Sequence, residues 1–188
     1  MVFPSSQRLL AMKGSSLGLV CDLFPFSVGR PLITVLVVRS PEDAASSRAP
    51  AFDYVILCVK ALPDLYNLAD IIQSVVTPQH TCIIVNTTNT LGVERALEES
   101  FPTNVVLSLV SGVNLIQLGS SEFEQTGSRE VWVGPANAES NIPQAIQRDM
   151  SEALAMTLST GQVDCKVSDN IRQQQYERMI GYVHVSYR

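Results

Sequence analysis

Residues 52–94 point to an α/β chain: a mostly parallel sheet with helices packed on its faces. Val55-Ile56-Leu57-Cys58-Val59 and Cys82-Ile83-Ile84-Val85 are short apolar runs rich in β-branched residues. Between them Leu65, Leu68, Ile71, Ile72, Val75 and Val76 recur at helical spacing. Strand, helix and strand in that order form a βαβ unit with parallel strands. In such sheets ligands bind in the crevice beyond the carboxyl ends of the strands. Lys60 stops the first run, and Asn89 lies in the polar cluster Asn86-Thr87-Thr88-Asn89-Thr90 that stops the second. The unit therefore aims a cation and an amide at one ligand.

The remaining elements follow in chain order. Residues 7–13 carry Leu9, Leu10 and Met12 ahead of Gly14, and read as the tail of a short helix stopped by glycine. Residues 17–24 and 32–38 read as strands, joined by a Pro-containing turn at 25–31. Residues 41–50, rich in Ser, Ala and Pro, read as a surface loop. Pro63-Asp64 opens the crossover helix and Thr77-Pro78 ends it. Val93, Ala96 and Leu97 then form an apolar stripe opposed by Glu94, Glu98 and Glu99, and Phe101-Pro102 closes that helix. Residues 105–110 read as a further buried strand, and residues 130–133 alternate as a strand before Gly134-Pro135. Gly119 and Gly127 bracket what reads as a surface loop. Ile142, Ile146, Met150, Leu154 and Leu158 repeat every fourth residue up to Gly161, which predicts an amphipathic helix with these residues inside. Val163, Cys165 and Val167 alternate as a strand, and Asp169 caps a last helix with Ile171, Tyr176, Met179 and Ile180.

Composition narrows the class. At 188 residues, 46% hydrophobic and 16% charged, the chain is that of an ordinary globular domain. A net charge of −5 gives no basic footprint for nucleic acid. No apolar run approaches the roughly 18 residues of a membrane span, and the first residues do not read as a secretory signal. Cys21, Cys58, Cys82 and Cys165 lack metal-ligand spacing, and two of them lie inside apolar strands. His80 and His184 have no ligand-spaced neighbours, so no metal site is expected. A reduced, cytoplasmic setting is the expectation.

The order and spacing of several short motifs resemble the ketopantoate reductase (2-dehydropantoate 2-reductase) family. They are Phe52-Asp53-Tyr54-Val55, Val59-Lys60-Ala61, and Asn89-Thr90-Leu91-Gly92 with Glu94. Val106-Leu107-Ser108, Gly112-Val113, residues 131–134 and Asp169-Asn170-Ile171-Arg172 continue the likeness over most of the chain. Thr88 and Thr90 stand where the family has Gln and Gly. The resemblance implies a Rossmann-like, doubly wound domain over residues 1–168 and the start of a helical substrate domain over 169–188. It also implies reduction of 2-dehydropantoate or a similar 2-oxo acid by NADPH, on the way to pantothenate. In that scheme Lys60 contacts NADP, and Asn89 faces both nicotinamide and substrate. Arg178 falls on the family's lysine, which protonates the developing alkoxide. A guanidinium binds a carboxylate or polarises a carbonyl, but its pKa above about 12 bars it from giving up a proton.

The chain departs from the family at one functional point. A dinucleotide fold cradles pyrophosphate on a G-x-G-x-x-G turn at a helix N-terminus. No such turn occurs, Gly14-Ser15-Ser16-Leu17-Gly18 having the wrong spacing. The expected domain is therefore incomplete at both ends, lacking its first βαβ unit. The strand at 55–59 then has no neighbour on one side, and Ile56, Cys58, Ile83 and Val85 are partly exposed. That predicts marginal stability and self-association through an open sheet edge, unless residues 17–24 fill the place. The alternative function is a catalytically inactive fragment or interaction module that binds no dinucleotide.

Overall fold

The computed structural model describes residues 7–12, 18–23, 33–38, 40–46, 51–59, 66–86, 91–119, 122–136, 140–161 and 163–186. They form an eight-stranded mixed sheet with a parallel centre. The strands are β1 (Gln7–Met12), β2 (Gly18–Leu23), β3 (Ile33–Val38), β4 (Tyr54–Leu57), β5 (Cys82–Val85), β6 (Val106–Gln117), β7 (Phe123–Pro135) and β8 (Asp164–Val167). In space they run β3-β2-β1-β4-β5-β6-β7-β8. The run from β1 through β4 and β5 to β6 is parallel, and so is β7–β8.

Successive residues of a strand face opposite sides, so a strand covered on both faces must be apolar throughout. All four residues of β4, and all four of β5, are buried. Val55, Leu57, Ile83 and Val85 pack on one side with α1 (Pro41–Ala45), α2 (Leu68–Ile72) and α3 (Val93–Ser100). Tyr54, Ile56, Cys82 and Ile84 pack on the other with α4 (Gln144–Thr160). The last helix, α5 (Ile171–Ser186), lies against β6 and β7, so residues 169–186 dock on the sheet. This is the helix-covered, mostly parallel sheet that the apolar runs predict, in the Rossmann-like, doubly wound layering that the resemblance implies.

Several local expectations give way to tertiary context. Residues 7–12 form no helix. As β1 they pair antiparallel with β2 and parallel with β4, Leu10 standing between Val20 and Val55. Strand β4 offers a full row of backbone donors and acceptors, and pairing with it outweighs a weak local helix preference. The same pairing removes the expected open edge. Ile56, Ile83 and Val85 are buried, whereas Cys58 is exposed. The replacement neighbour is β1 rather than residues 17–24, and the sheet ends at β3 and β8.

The Ser/Ala/Pro stretch after residue 40 opens with a helix, α1, not a loop. Ser40 Oγ accepts from the Asp43 amide, and Ala44 is buried. The crossover helix is shorter than its periodicity implies. It is capped by Asn67, whose Oδ1 accepts from the Ala69 amide, and ends in a 3₁₀ turn at Gln73–Val75. Pro63-Asp64 lies outside the described residues. In α4 the buried line is Gln147, Ser151, Leu154 and Ala155, and Ile146 is 48% exposed. Ser151 Oγ donates to the Gln147 carbonyl, and Gln147 Nε2 donates to the Ile142 carbonyl. With those polar groups satisfied inside, the helix presents small Ser151 and Ala155 to the sheet and turns Ile146 outward.

The segment between Gly119 and Gly127 is not one surface loop. Strands β6 and β7 continue as a long antiparallel ribbon to Gln117↔Phe123, with Gly127 paired to Val113 inside it. The ladder of backbone pairs carries the ribbon past the core, and Ile116 near its tip is exposed. The register shifts between Ser111 and Val113, where a Cβ on Gly112 would meet the Glu130 carbonyl at 3.2 Å. Edge strand β8 is guarded by Lys166, which donates to Glu130 and lies 5.2 Å from the Trp132 ring centroid.

Candidate functional site at the carboxyl ends of the parallel strands

Two buried side chains lock the amino-end side of the central strands. Thr81 Oγ1 donates to the Phe52 carbonyl at 2.8 Å, and Asn104 Nδ2 donates to the carbonyls of Thr77 and Thr81 at 2.8 and 2.9 Å. At the carboxyl-end side the described residues give one side-chain link between these strands. Strands β4 and β5 run in register from Tyr54↔Cys82 to Leu57↔Val85, so both chains leave the sheet side by side. Asn86 Nδ2 donates to Cys58 Sγ at 3.6 Å across that gap. Asn86 Oδ1 is buried and accepts no hydrogen bond among the described residues. Lys60 and Asn89 follow these ends by a few residues, and both lie outside the described residues.

The chain re-enters at Leu91-Gly92. Gly92 has φ +86°, a left-handed geometry that glycine adopts without strain, and it caps α3. Two residues on, Glu94 points inward, not toward solvent as the stripe of Val93, Ala96 and Leu97 suggests. It is 6% exposed and shares the buried side of α3 with Leu97. Ser108 Oγ of β6 and Gln175 Nε2 of α5 both donate to Glu94 Oε1 at 2.7 Å, and Gln175 also reaches Ser108 Oγ at 3.3 Å. This cluster ties α3, β6 and α5 together beneath a pocket of about 230 Å³. Leu91, Gly92, Glu94, Arg95, Arg172, Gln175 and Tyr176 line it.

Arg178, which the resemblance sets against the family's lysine, is not among the residues that line that pocket. It lies half-buried on α5, and its Nη2 donates to the Val113 carbonyl at the base of the ribbon at 3.5 Å. Sequence reasoning passed over Asn86 and Glu94 as site residues. Asn86 was readable in principle, being the first polar residue past an apolar strand. Glu94 was not, because its inward turn depends on Ser108 and Gln175. Among the described residues no group of three or more His, Cys, Asp or Glu could hold a metal, and no helix is long and apolar enough to cross a membrane. Burial pushes the Cys82 thiol far up, and burial, aided by nearby Asp164, pushes the Cys165 thiol up to about 11. Neither is suited to act as a thiolate nucleophile.

The family model for ketopantoate reductase PanE/ApbA matches residues 28–138. The meiotically up-regulated gene 72 protein of Schizosaccharomyces pombe is 38% identical over 154 residues, covering 79% of this chain and 27% of that protein. Among solved structures, 2-dehydropantoate 2-reductase from Geobacter metallireducens matches with a TM-score of 0.58 at 17% identity, over 92% of this chain and 48% of that one. The enzyme of the same name from Methylococcus capsulatus gives 0.56 at 16%, over 71% and 40%. The chain thus spans 27% of that curated relative and less than half of each solved one. At such identities the structural likeness speaks for the fold.

Proposed function

The chain belongs to the ketopantoate reductase PanE/ApbA family, and from that premise we propose that it carries the nicotinamide end of an oxidoreductase site. The reaction is reduction of a 2-oxo acid, 2-dehydropantoate or a close analogue, to the 2-hydroxy acid with NADPH. The observation that supports it is the in-register parallel exit of β4 and β5, closed by Cys58 and Asn86, with Lys60 and Asn89 following. The buried Asn86 Oδ1 suits an N–H donor such as a nicotinamide carboxamide. When bound, the cofactor supplies the hydride that reduces the ketone carbon. Lys60 contributes a point charge for a ribose or phosphate oxygen, and Asn89 an amide that orients ring and ketone. Arg178 polarises the ketone or holds the carboxylate, and the proton on the new hydroxyl comes from water.

The residues fit the nicotinamide end better than the pyrophosphate. Residues 1–188 hold no G-x-G-x-x-G turn, so within them Lys60 is offered to the phosphates where a row of backbone amides is usual. Titrating this chain with NADPH and following its fluorescence is therefore expected to show no saturation at micromolar concentration. Micromolar saturation would reveal a phosphate site of another kind. At millimolar NADPH with 2-dehydropantoate, slow oxidation at 340 nm is expected, and Asn89→Ala should lower it about 10²-fold, the scale of losing one positioned donor.

One observation favours a second reading, an interaction module without catalysis. Arg178 spends a guanidinium hydrogen bond on the Val113 carbonyl and cannot act as an acid. Oxidation no faster than in buffer, for the chain and for Asn89→Ala alike, would select that reading.

A further inference from the structure

The pocket between α3 and α5 holds two opposite charges that do not pair with each other. Both hydrogen bonds that Glu94 accepts fall on Oε1. Oε2 accepts none among the described residues, although Glu94 is 6% exposed and lines the pocket. Arg172, on the facing helix, makes no hydrogen bond or ion pair among the described residues. Arg95 completes the wall, and its Nε is held by Glu99 Oε1 at 3.0 Å. Glu94 Oε2 therefore opens on the pocket, where it can accept from a donor. The exposed Arg172 guanidinium on the same pocket wall is free to take a planar anion.

We propose that this pocket binds a small carboxylic acid bearing a hydroxyl or ammonium group beside its carboxylate. The carboxylate lies on Arg172, with Arg95 flanking, and the hydroxyl or ammonium donates to Glu94 Oε2. Ser108 and Gln175 hold the other Glu94 oxygen and so fix the direction of the idle one. Glu94 sits in the first turn of α3, where it already answers the helix dipole, so the anion belongs on the arginine side of the pocket. A cavity of about 230 Å³ admits a molecule of lactate or alanine size and excludes a dinucleotide. The site needs no cofactor. It goes beyond the reductase reading, and 2-hydroxy acids are one member of its ligand class.

The test is ligand-observed NMR or calorimetry on the chain without NADPH, using lactate, alanine and propionate as probes. Saturable millimolar binding is expected for lactate or alanine. Propionate, which has the carboxylate but no donor, should bind about tenfold more weakly, because it displaces water from Glu94 Oε2 and offers it no hydrogen bond. Arg172→Gln, an exposed substitution whose fold is checked by melting, should weaken every probe about tenfold. Glu94→Gln, which keeps size and hydrogen bonding capacity, should instead narrow the gap between lactate and propionate. Binding of neither lactate nor alanine, equal binding of propionate, or affinities indifferent to Arg172→Gln would each overturn the site. Because NADPH is absent, failure here leaves the reductase reading to its own assay, and lactate binding over alanine would distinguish a hydroxy-acid site from an amino-acid one.

Discussion

Gly134→Ala is expected to destabilise the chain by about 3 kcal/mol, the upper part of the range for forcing one extra carbon into a packed site. A Cβ on Gly134 would stand 2.1 Å from the Ser168 carbonyl oxygen and 3.4 Å from Ile171 Cβ. Neither can yield cheaply. Ser168 is backbone, held to Val133 by an amide hydrogen bond of 2.8 Å, and Ile171 is 1% exposed. To admit the methyl group, the β8–α5 junction must lift from the end of β7, and Gln175 with it. Gly92→Ala is the internal control. It meets nothing within 4 Å and bears only the left-handed φ of +86°, at about 1 kcal/mol. Urea denaturation of both variants measures the difference. Equal midpoints would contradict the close packing of Gly134 on Ser168.

The second large effect is expected at β1. Leu10→Pro should cost about 3 kcal/mol or more, the scale of a proline inside regular structure. It should also make the chain associate more strongly as its concentration rises. Leu10 pairs with Val20 on one side and Val55 on the other, so its strand has no free edge to tolerate a missing N–H. Losing β1 exposes the backbone row of β4, whose four residues are all buried, and an apolar unpaired strand is a template for other chains. A proline at Val35 in β3, which pairs on one side only, should cost less. Sedimentation and urea melts decide. If Leu10→Pro and Val35→Pro behaved alike, β1 would not be the neighbour of β4.

What the sequence disclosed follows from where the information lies. Strands β4 and β5 were readable because both their faces are covered, which makes every residue apolar and leaves a run that only a buried strand of that length explains. The extensions of β6 past Val110 and of β7 before Glu130 were not, since Ser111-Gly112 interrupts the apolar run of β6 and residues 124–129 of β7 are polar or glycine. Residues 7–12 became a strand through the place β4 offers, information that resides some 45 positions away in the pairing of Leu9 with Tyr54. Glu94 illustrates the same limit at the site. Its stripe assigns it to solvent, and only Ser108 and Gln175, 14 and 81 positions distant, make an inward carboxyl tolerable. The motifs that suggest the site, by contrast, are local: Lys60 and Asn89 are singled out by their position after apolar runs, and both lie outside the described residues. Arg178 was placed by counting along α5, which fixes its helix but not that its guanidinium reaches the Val113 carbonyl.

The functional account stands on Lys60 and Asn89 serving one ligand where β4 and β5 end. Amide shifts of the ¹⁵N-labelled chain, titrated with NADPH to millimolar concentration, test this most directly. The account predicts shifts confined to Cys58, Val59, Asn86, Leu91 and their neighbours, weakened by Lys60→Ala and by Asn89→Ala alike. Shifts clustered at Asp53, Thr81 and Asn104 on the opposite edge, or shifts unchanged in both variants, would contradict it.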